Sequence, residues 1–265
     1  AGGSDERKFG AGDSGSGARA GAEEYVLRGD SVMKIGCVPY DHAKPFASGW
    51  KAGEVVWDHP KGLVGRLHRG EVEVALIPVW EVLSGEKYQV VDGLGVGSRG
   101  EIRSVAVFHE KALAECRGIA LTPHSMSSVQ LWRVLAKGAL GVNLEERSDG
   151  EARLKIGDVA LRGWKKSGGR GLTDLGSVWW SWTGKPFVFG VWAMRHDFQP
   201  KAGEVEKFRE GCLAGIQQRG ERATDDFEKE YVTKCIRYEL GAEEKEGMAE
   251  FAQRSGVEVR KIEYL

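Results

Sequence analysis

From residue 33 onward, short apolar runs alternate with segments of helical periodicity. Segment 60–70 starts with a proline and places Leu63, Val64 and Leu67 on one face, as expected of a crossover helix. The alternation predicts βαβ units around largely parallel sheets. The strands predicted in this first part are 33–38, 54–59, 72–78 and 88–93, followed by a Gly-rich segment at 94–100.

A second series of runs predicts a second lobe. Strands are expected at 103–110 and 118–123, a helix begins near Ser127, and further strand candidates lie at 141–146, 152–158 and 186–194. The C-terminal part is charged and predicts helices at 203–222, 226–239 and 242–255. We therefore expect an α/β protein with two lobes, 33–102 plus 196–265 and 103–195. Its ligand cleft should lie at the carboxyl ends of the strands.

The first 32 residues are rich in Gly, Ala, Ser and charge, and they contain no apolar run like the core of a secretory signal. We expect this segment to be a disordered tail or an expression remnant outside the fold. No stretch approaches the roughly 20 apolar residues that cross a bilayer.

The balance of charges argues against nucleic-acid and membrane partners, and the spacing of the cysteines argues for free thiols. The 38 basic and 39 acidic side chains nearly cancel, whereas nucleic acids and anionic membranes require a concentrated basic face, so we expect neither as a partner. The cysteines are Cys37, Cys116, Cys212 and Cys235, and none forms a C-x-x-C pair. They are expected to be reduced thiols in a cytoplasmic protein.

Several segments resemble one enzyme family in the same order along the chain. Segment 36–46, GCVPYDHAKPF, is similar to the opening motif of the chorismate dehydratases of the futalosine route to menaquinone. The most specific matches are LKIGDVALR at 154–162 and the Trp-rich run ending in TGKPFVFGVWA at 183–193. HSMSSVQLWRVL at 124–135 and YVTKCIRYELG at 231–241 also fit the family.

The resemblance implies a two-lobed fold of the periplasmic-binding-protein-like type 2 class, used as a cytoplasmic hydro-lyase. The implied reaction converts the dicarboxylate chorismate to 3-[(1-carboxyvinyl)oxy]benzoate and water, without a metal or redox cofactor. A monomer or homodimer is expected. Two other functions stay open: a non-catalytic small-molecule binder of the same fold, and the sister 1,4-dihydroxy-6-naphthoate synthase.

Three serines at the start of the helix near 127 are candidate ligands for a substrate carboxylate. Hydroxyls and free N–H groups at a helix start bind anions, although one serine there can simply be an N-cap. The candidates are Ser125, Ser127 and Ser128.

A second group flanks the strand at 103–110. Arg103, with Ser98 and Ser104, could pair with the second carboxylate, or it could form a surface salt bridge. Asp158 could face substrate or cap a turn. The basic segment 163–173 is interpreted as a mobile, solvated loop.

The opening motif departs from the family. The family's Ser-Tyr-Leu-Asn-Thr is here Pro39 to Ala43, which keeps only Tyr40, a candidate substrate contact, and puts His42 at the asparagine position that the family associates with catalysis. Because histidine titrates near neutrality, His42, oriented by Asp41, is the candidate general base. The same change could instead mark an altered activity.

Overall fold

The computed structural model describes residues 33–50, 53–258 and 261–265. The predicted tail at 1–32 lies outside the described residues. Two β-sheets carry the fold, and helices pack on both. The helices are α1 Lys44–Ala47, α2 Pro60–His68, α3 Val79–Ser84, α4 Met126–Gly138, α5 Gly157–Ser167, α6 Leu175–Thr183, α7 Glu204–Gln217, α8 Asp226–Glu230 and α9 Ala242–Arg254.

The larger sheet has six strands in the order β11-β4-β10-β3-β1-β2. Its strands are β1 Ile35–Cys37, β2 Val55–Trp57, β3 Val74–Pro78, β4 Tyr88–Ser98, β10 Phe187–Arg195 and β11 Glu263–Tyr264. Strand β1 pairs in parallel with β2 and β3, whereas β10 runs antiparallel to both β3 and β4.

The smaller sheet has five strands in the order β7-β6-β8-β5-β9. These are β5 Val105–Phe108, β6 Gly118–Ala120, β7 Glu145–Glu146, β8 Ala152–Ile156 and β9 Leu172–Asp174. Strand β5 is antiparallel to both of its neighbours. Among the described strands, all but β10 in the larger sheet and all but β5 in the smaller sheet share one direction, so the expectation of largely parallel sheets is confirmed, with one antiparallel strand in each.

Strand β10 changes the predicted division of the chain. We assigned 103–195 to the second lobe, but β10 lies inside the six-stranded sheet between β3 and β4. Its residues are mostly buried, which suits an interior strand of either sheet, so the apolar pattern did not reveal which sheet it joins. We propose that the first lobe comprises 33–98 plus 187–265 and the second 99–186.

Two local predictions were wrong. The helix expected at 226–239 ends early: α8 is followed by a π-helical turn at Tyr231–Cys235, and Arg237 forms a β-bridge with Gly97. The backbone of Arg237 and Tyr238 forms hydrogen bonds with Gly97 and Gly95 of β4, which requires extended backbone there. The loop expected at 163–173 instead contains the last turn of α5, which ends at Ser167 with Gly168 as its C-cap at φ 60°, and the start of β9.

The Gly-rich segment 94–100 mostly continues β4 rather than ending it. A Cβ atom on Gly97 would lie 2.7 Å from the carbonyl oxygen of Phe187 in the neighbouring strand. Glycine here lets two backbones approach closely at the pocket end of the sheet.

Candidate functional site

A pocket that is open to solvent lies between the two sheets. The first lobe contributes Val38, Tyr40, His42, Pro60, Leu76, Ile77, Pro78, Val96, Phe189 and Gly190, and the second contributes Ile102, Ser104, Val105, Ser125, Ser128, Ile156 and Gly157. The turns at 39–43 and 125–128 therefore share one cavity.

The turn that carries Tyr40 and His42 follows directly from β1. A 3₁₀ turn at Asp41–Ala43 begins there, and Ala43 donates its N–H to the carbonyl oxygen of Tyr40 over 2.9 Å. The Ala43 side chain is fully buried, and Pro45 lies in the first turn of α1. Burial of Ala43 on one side of the turn leaves Tyr40 and His42 at the pocket wall.

His42 is held by two tyrosines from the C-terminal part of the chain. Its Nδ1 atom lies 3.2 Å from the hydroxyl of Tyr231. The hydroxyl of Tyr238 donates to the backbone oxygen of His42 over 2.9 Å. Burial lowers the pKa of His42 to about 4, against a smaller opposing effect of the Asp41 carboxylate. The ring is therefore neutral at pH 7.

Tyr231 and Tyr238 were missed by the sequence analysis. Both are buried, and Tyr231 occupies the π-helical turn that the predicted helix at 226–239 did not include. Segment 231–241 was matched to the family but interpreted as part of a helix. Its apolar residues at 231, 232, 235, 236 and 238 recur at helical spacing, so periodicity gave no signal for the π-helical turn.

The serine turn forms the start of α4. Ser125 is the N-cap, and its hydroxyl accepts from the N–H of Ser128 over 3.1 Å and donates to the Ser128 hydroxyl over 2.9 Å. Both side chains line the pocket. Ser127 does not: its hydroxyl accepts from the N–H of Trp80 over 3.2 Å and ties α4 to α3.

The start of α5 forms another wall. Gly157 has φ 57°, and an added Cβ would lie 2.9 Å from the ring of Tyr40. Asp158 follows, and its carboxylate accepts from the N–H of Asp41 over 3.2 Å. Burial raises the pKa of Asp158. This contact joins the two lobes beside the pocket, although Asp158 is not among the lining residues.

The residues predicted to bind a second carboxylate are divided. Ser104 is buried and lines the pocket. Ser98 is buried outside it, and its hydroxyl has no hydrogen-bond partner among the described residues. Arg103 pairs instead with Glu101 over 2.5 Å and Glu230 over 3.1 Å. Arg103 is not among the lining residues of the pocket.

The lining is mainly apolar. Its polar side chains are Tyr40, His42, Ser104, Ser125 and Ser128, and no Lys, Arg, Asp or Glu is among the lining residues of the described chain. The described residues also contain no cluster of three or more His, Cys, Asp or Glu that could hold a metal ion. The pocket can therefore offer hydroxyls, an imidazole and backbone N–H groups to a ligand.

A family model described as menaquinone biosynthesis matches residues 33–256. The chain belongs to this family. Among curated relatives, the chorismate dehydratase of Thermus thermophilus is 27% identical over 230 residues, which cover 75% of this chain and 85% of the relative. The family match includes both turns that meet in the pocket.

Solved structures confirm the fold class. The CA3427 product of Candida albicans, described as having the generic periplasmic binding protein fold, superposes with a TM-score of 0.59 at 14% identity and covers 87% of this chain and 92% of that one. The aliphatic sulphonate binding protein SsuA of Escherichia coli gives 0.52 at 12% identity, with 89% and 94% covered. At these identities the likeness concerns the fold alone. Among the described residues, no helix is both long and apolar enough to span a membrane.

Proposed function

We propose that this protein is a chorismate dehydratase, a carbon-oxygen hydro-lyase that acts in menaquinone biosynthesis through the futalosine route. The observation that carries the proposal is the meeting of family-matched segments in one pocket: Tyr40 and His42, Ser125 and Ser128, and Gly157. The relative from Thermus thermophilus supports the choice of reaction. The cytoplasmic location remains a prediction.

The reaction needs no covalent intermediate. The ring carbon that bears the enolpyruvyl ether loses a proton, its C–H electron pair forms the new ring double bond, and hydroxide leaves the adjacent carbon. The proton and the hydroxide together make the released water. Because the product ring is aromatic, the protein needs mainly to orient the substrate, bind its carboxylates and assist proton transfer and hydroxyl departure.

The start of α4 is suited to a carboxylate. Helix N-termini carry partial positive charge and unpaired N–H groups, and here the hydroxyls of Ser125 and Ser128 lie beside them at the pocket. Ser104 lines the same cavity from the neighbouring segment. In an apolar cavity such fixed dipoles stabilise an anion more strongly than they would in water.

His42 and Tyr40 are titratable side chains at the pocket wall, and His42 is the one that can act near neutral pH. A neutral imidazole can either accept the carbon-bound proton, which is the role predicted from the sequence, or donate a hydrogen bond to a substrate oxygen. The tautomer of the ring decides between these roles.

The proposal is tested by incubating the purified protein with chorismate and separating the mixture by chromatography. We expect loss of chorismate with equal formation of the aromatic enol ether. Ser128→Ala should weaken turnover, whereas the matched Ser255→Ala, in which a buried hydroxyl outside the pocket is removed, should not. Stable chorismate in the presence of the folded protein would contradict the proposal.

A non-catalytic binder is the second candidate, favoured by the absence of Lys and Arg from the described lining. It predicts that chorismate raises the melting temperature without being consumed. The dehydratase predicts both effects, so the same protein sample separates the two functions.

A further inference from the structure

The contact between Tyr231 and His42 determines what the imidazole can do. Nδ1 of His42 faces the Tyr231 hydroxyl at 3.2 Å. Nε2 has no hydrogen-bond partner among the described residues. It is not one of the polar atoms that are buried without a partner, and the His42 side chain lines the pocket. Nε2 is therefore the ring nitrogen available to a ligand.

In the hydrogen bond between Nδ1 of His42 and the Tyr231 hydroxyl, one group must donate the hydrogen and the other must accept it. Burial raises the pKa of Tyr231 well above its ordinary value. A hydrogen bond between Ser104 and the same phenol lowers this pKa, but the effect of burial is larger. The phenol thus keeps its hydrogen, and the neutral imidazole carries a lone pair on one nitrogen. A phenol is the stronger donor and an imidazole nitrogen the stronger acceptor, so the hydrogen bond runs from Tyr231 to Nδ1.

The surroundings hold this arrangement in place. Ser104 contacts Tyr231. Arg103, which precedes Ser104, forms a salt bridge at 3.1 Å with Glu230, which precedes Tyr231. On the other side, Tyr238 binds the backbone oxygen of His42. The ring and the phenol are thus fixed from both segments, which limits rotation of the imidazole.

We infer that Tyr231 is a positioning residue that donates to Nδ1 of His42 and holds the ring in the tautomer whose Nε2–H lines the pocket as a hydrogen-bond donor. In this state His42 binds an oxygen atom of the ligand and has no lone pair for a carbon-bound proton. This replaces the role of general base predicted from the sequence and leaves removal of that proton to another base. The assignment to a substrate oxygen rests on the proposed function, but the tautomer does not.

The tautomer can be measured without any ligand. In protein labelled with ¹⁵N in histidine, two-bond ¹H–¹⁵N spectra at pH 7 distinguish a protonated Nε2 from a protonated Nδ1. We expect the Nε2–H form for His42 in the wild type and a loss of that preference in Tyr231→Phe. Tyr238→Phe is the matched control: it removes a phenol hydroxyl that binds the His42 backbone, and it should leave the tautomer unchanged.

A protonated Nδ1 in the wild type would overturn the inference, and so would an unchanged tautomer in folded Tyr231→Phe. If that variant does not fold, the wild-type spectrum still decides. Because the experiment uses no substrate, it can succeed when the dehydratase proposal fails, and the reverse also holds.

Activity supplies the second readout. The side-chain amide nitrogen of glutamine can take the position of Nε2 and donate, but it cannot act as a base. If His42 is a donor, His42→Gln should keep turnover at least about tenfold above His42→Ala. If His42 is the base, both variants should lose turnover alike, by about 10²- to 10⁴-fold, and the donor role would be refuted.

Discussion

Asp174 allows a stability prediction that connects the fold to the pocket. Its carboxylate is buried and accepts from the N–H groups of Ile102 at 3.2 Å, Arg103 at 2.8 Å and Ser177 at 2.8 Å. The bond to Ser177 caps α6, and the other two fix the segment that places Ile102 and Ser104 in the pocket. Arg103 has φ 60° in this segment, an uncommon conformation for a side-chain-bearing residue.

The Asp174→Ala substitution should be severely destabilising. Loss of the helix cap costs about 1 kcal/mol, and each backbone N–H left buried without a partner costs about 1 to 3 kcal/mol. With two such groups at Ile102 and Arg103, we expect the free energy of unfolding to fall by about 4 kcal/mol. That loss is a large part of the stability of an ordinary domain.

Urea denaturation followed by tryptophan fluorescence measures this loss. The matched control is Asp225→Ala, which also removes an N-cap carboxylate, that of α8, but at an exposed position where water can replace it. We expect a clearly smaller shift of the denaturation midpoint for the control. Equal shifts in the two variants would show that the buried contacts of Asp174 do not stabilise the segment.

Three further outcomes are expected. Gly157→Ala should weaken ligand binding measured by calorimetry, because φ 57° is strained for alanine and the added methyl group contacts Tyr40; unchanged affinity would show that the pocket wall can shift. Ser98→Ala should leave substrate affinity unchanged and stability equal or higher, since its buried hydroxyl has no partner among the described residues; a loss of affinity would restore Ser98 to the site. Folding lowers the pKa of His42 to about 4. As the pH falls below about 6.5, the unfolded chain therefore binds a proton that the folded protein does not, and the free energy of unfolding should drop between pH 6.5 and 4. Acid titrations by circular dichroism should show a shallower drop in His42→Gln, and identical curves would contradict the lowered pKa.

The sequence was sufficient for the fold class and for part of the site. Apolar runs and the ordered family segments predicted two α/β lobes and a cavity shared by the turns at 39–43 and 125–128. The turn at 39–43 follows a strand and the turn at 125–128 starts a helix, so the sequence around each of them predicts its position. The membership of β10 in the larger sheet could not be predicted, because burial on both faces is the same pattern in either sheet.

The contacts around His42 could not be predicted for a different reason. Tyr231 lies 189 positions away in the chain, in a π-helical turn that periodicity does not reveal. Arg103 was a plausible carboxylate ligand by residue type, but its pairing with Glu230 depends on the position of α8. Long-range partners of this kind determine whether a charged side chain is available to a ligand.

The central claim is that the cavity between the sheets is where chorismate is bound and dehydrated. A crystal structure of the protein with the aromatic product tests it most directly. We expect a carboxylate of the product at the hydroxyls of Ser125 and Ser128, and one of its oxygen atoms within hydrogen-bonding distance of Nε2 of His42. Product bound elsewhere, with this cavity empty, would contradict the account.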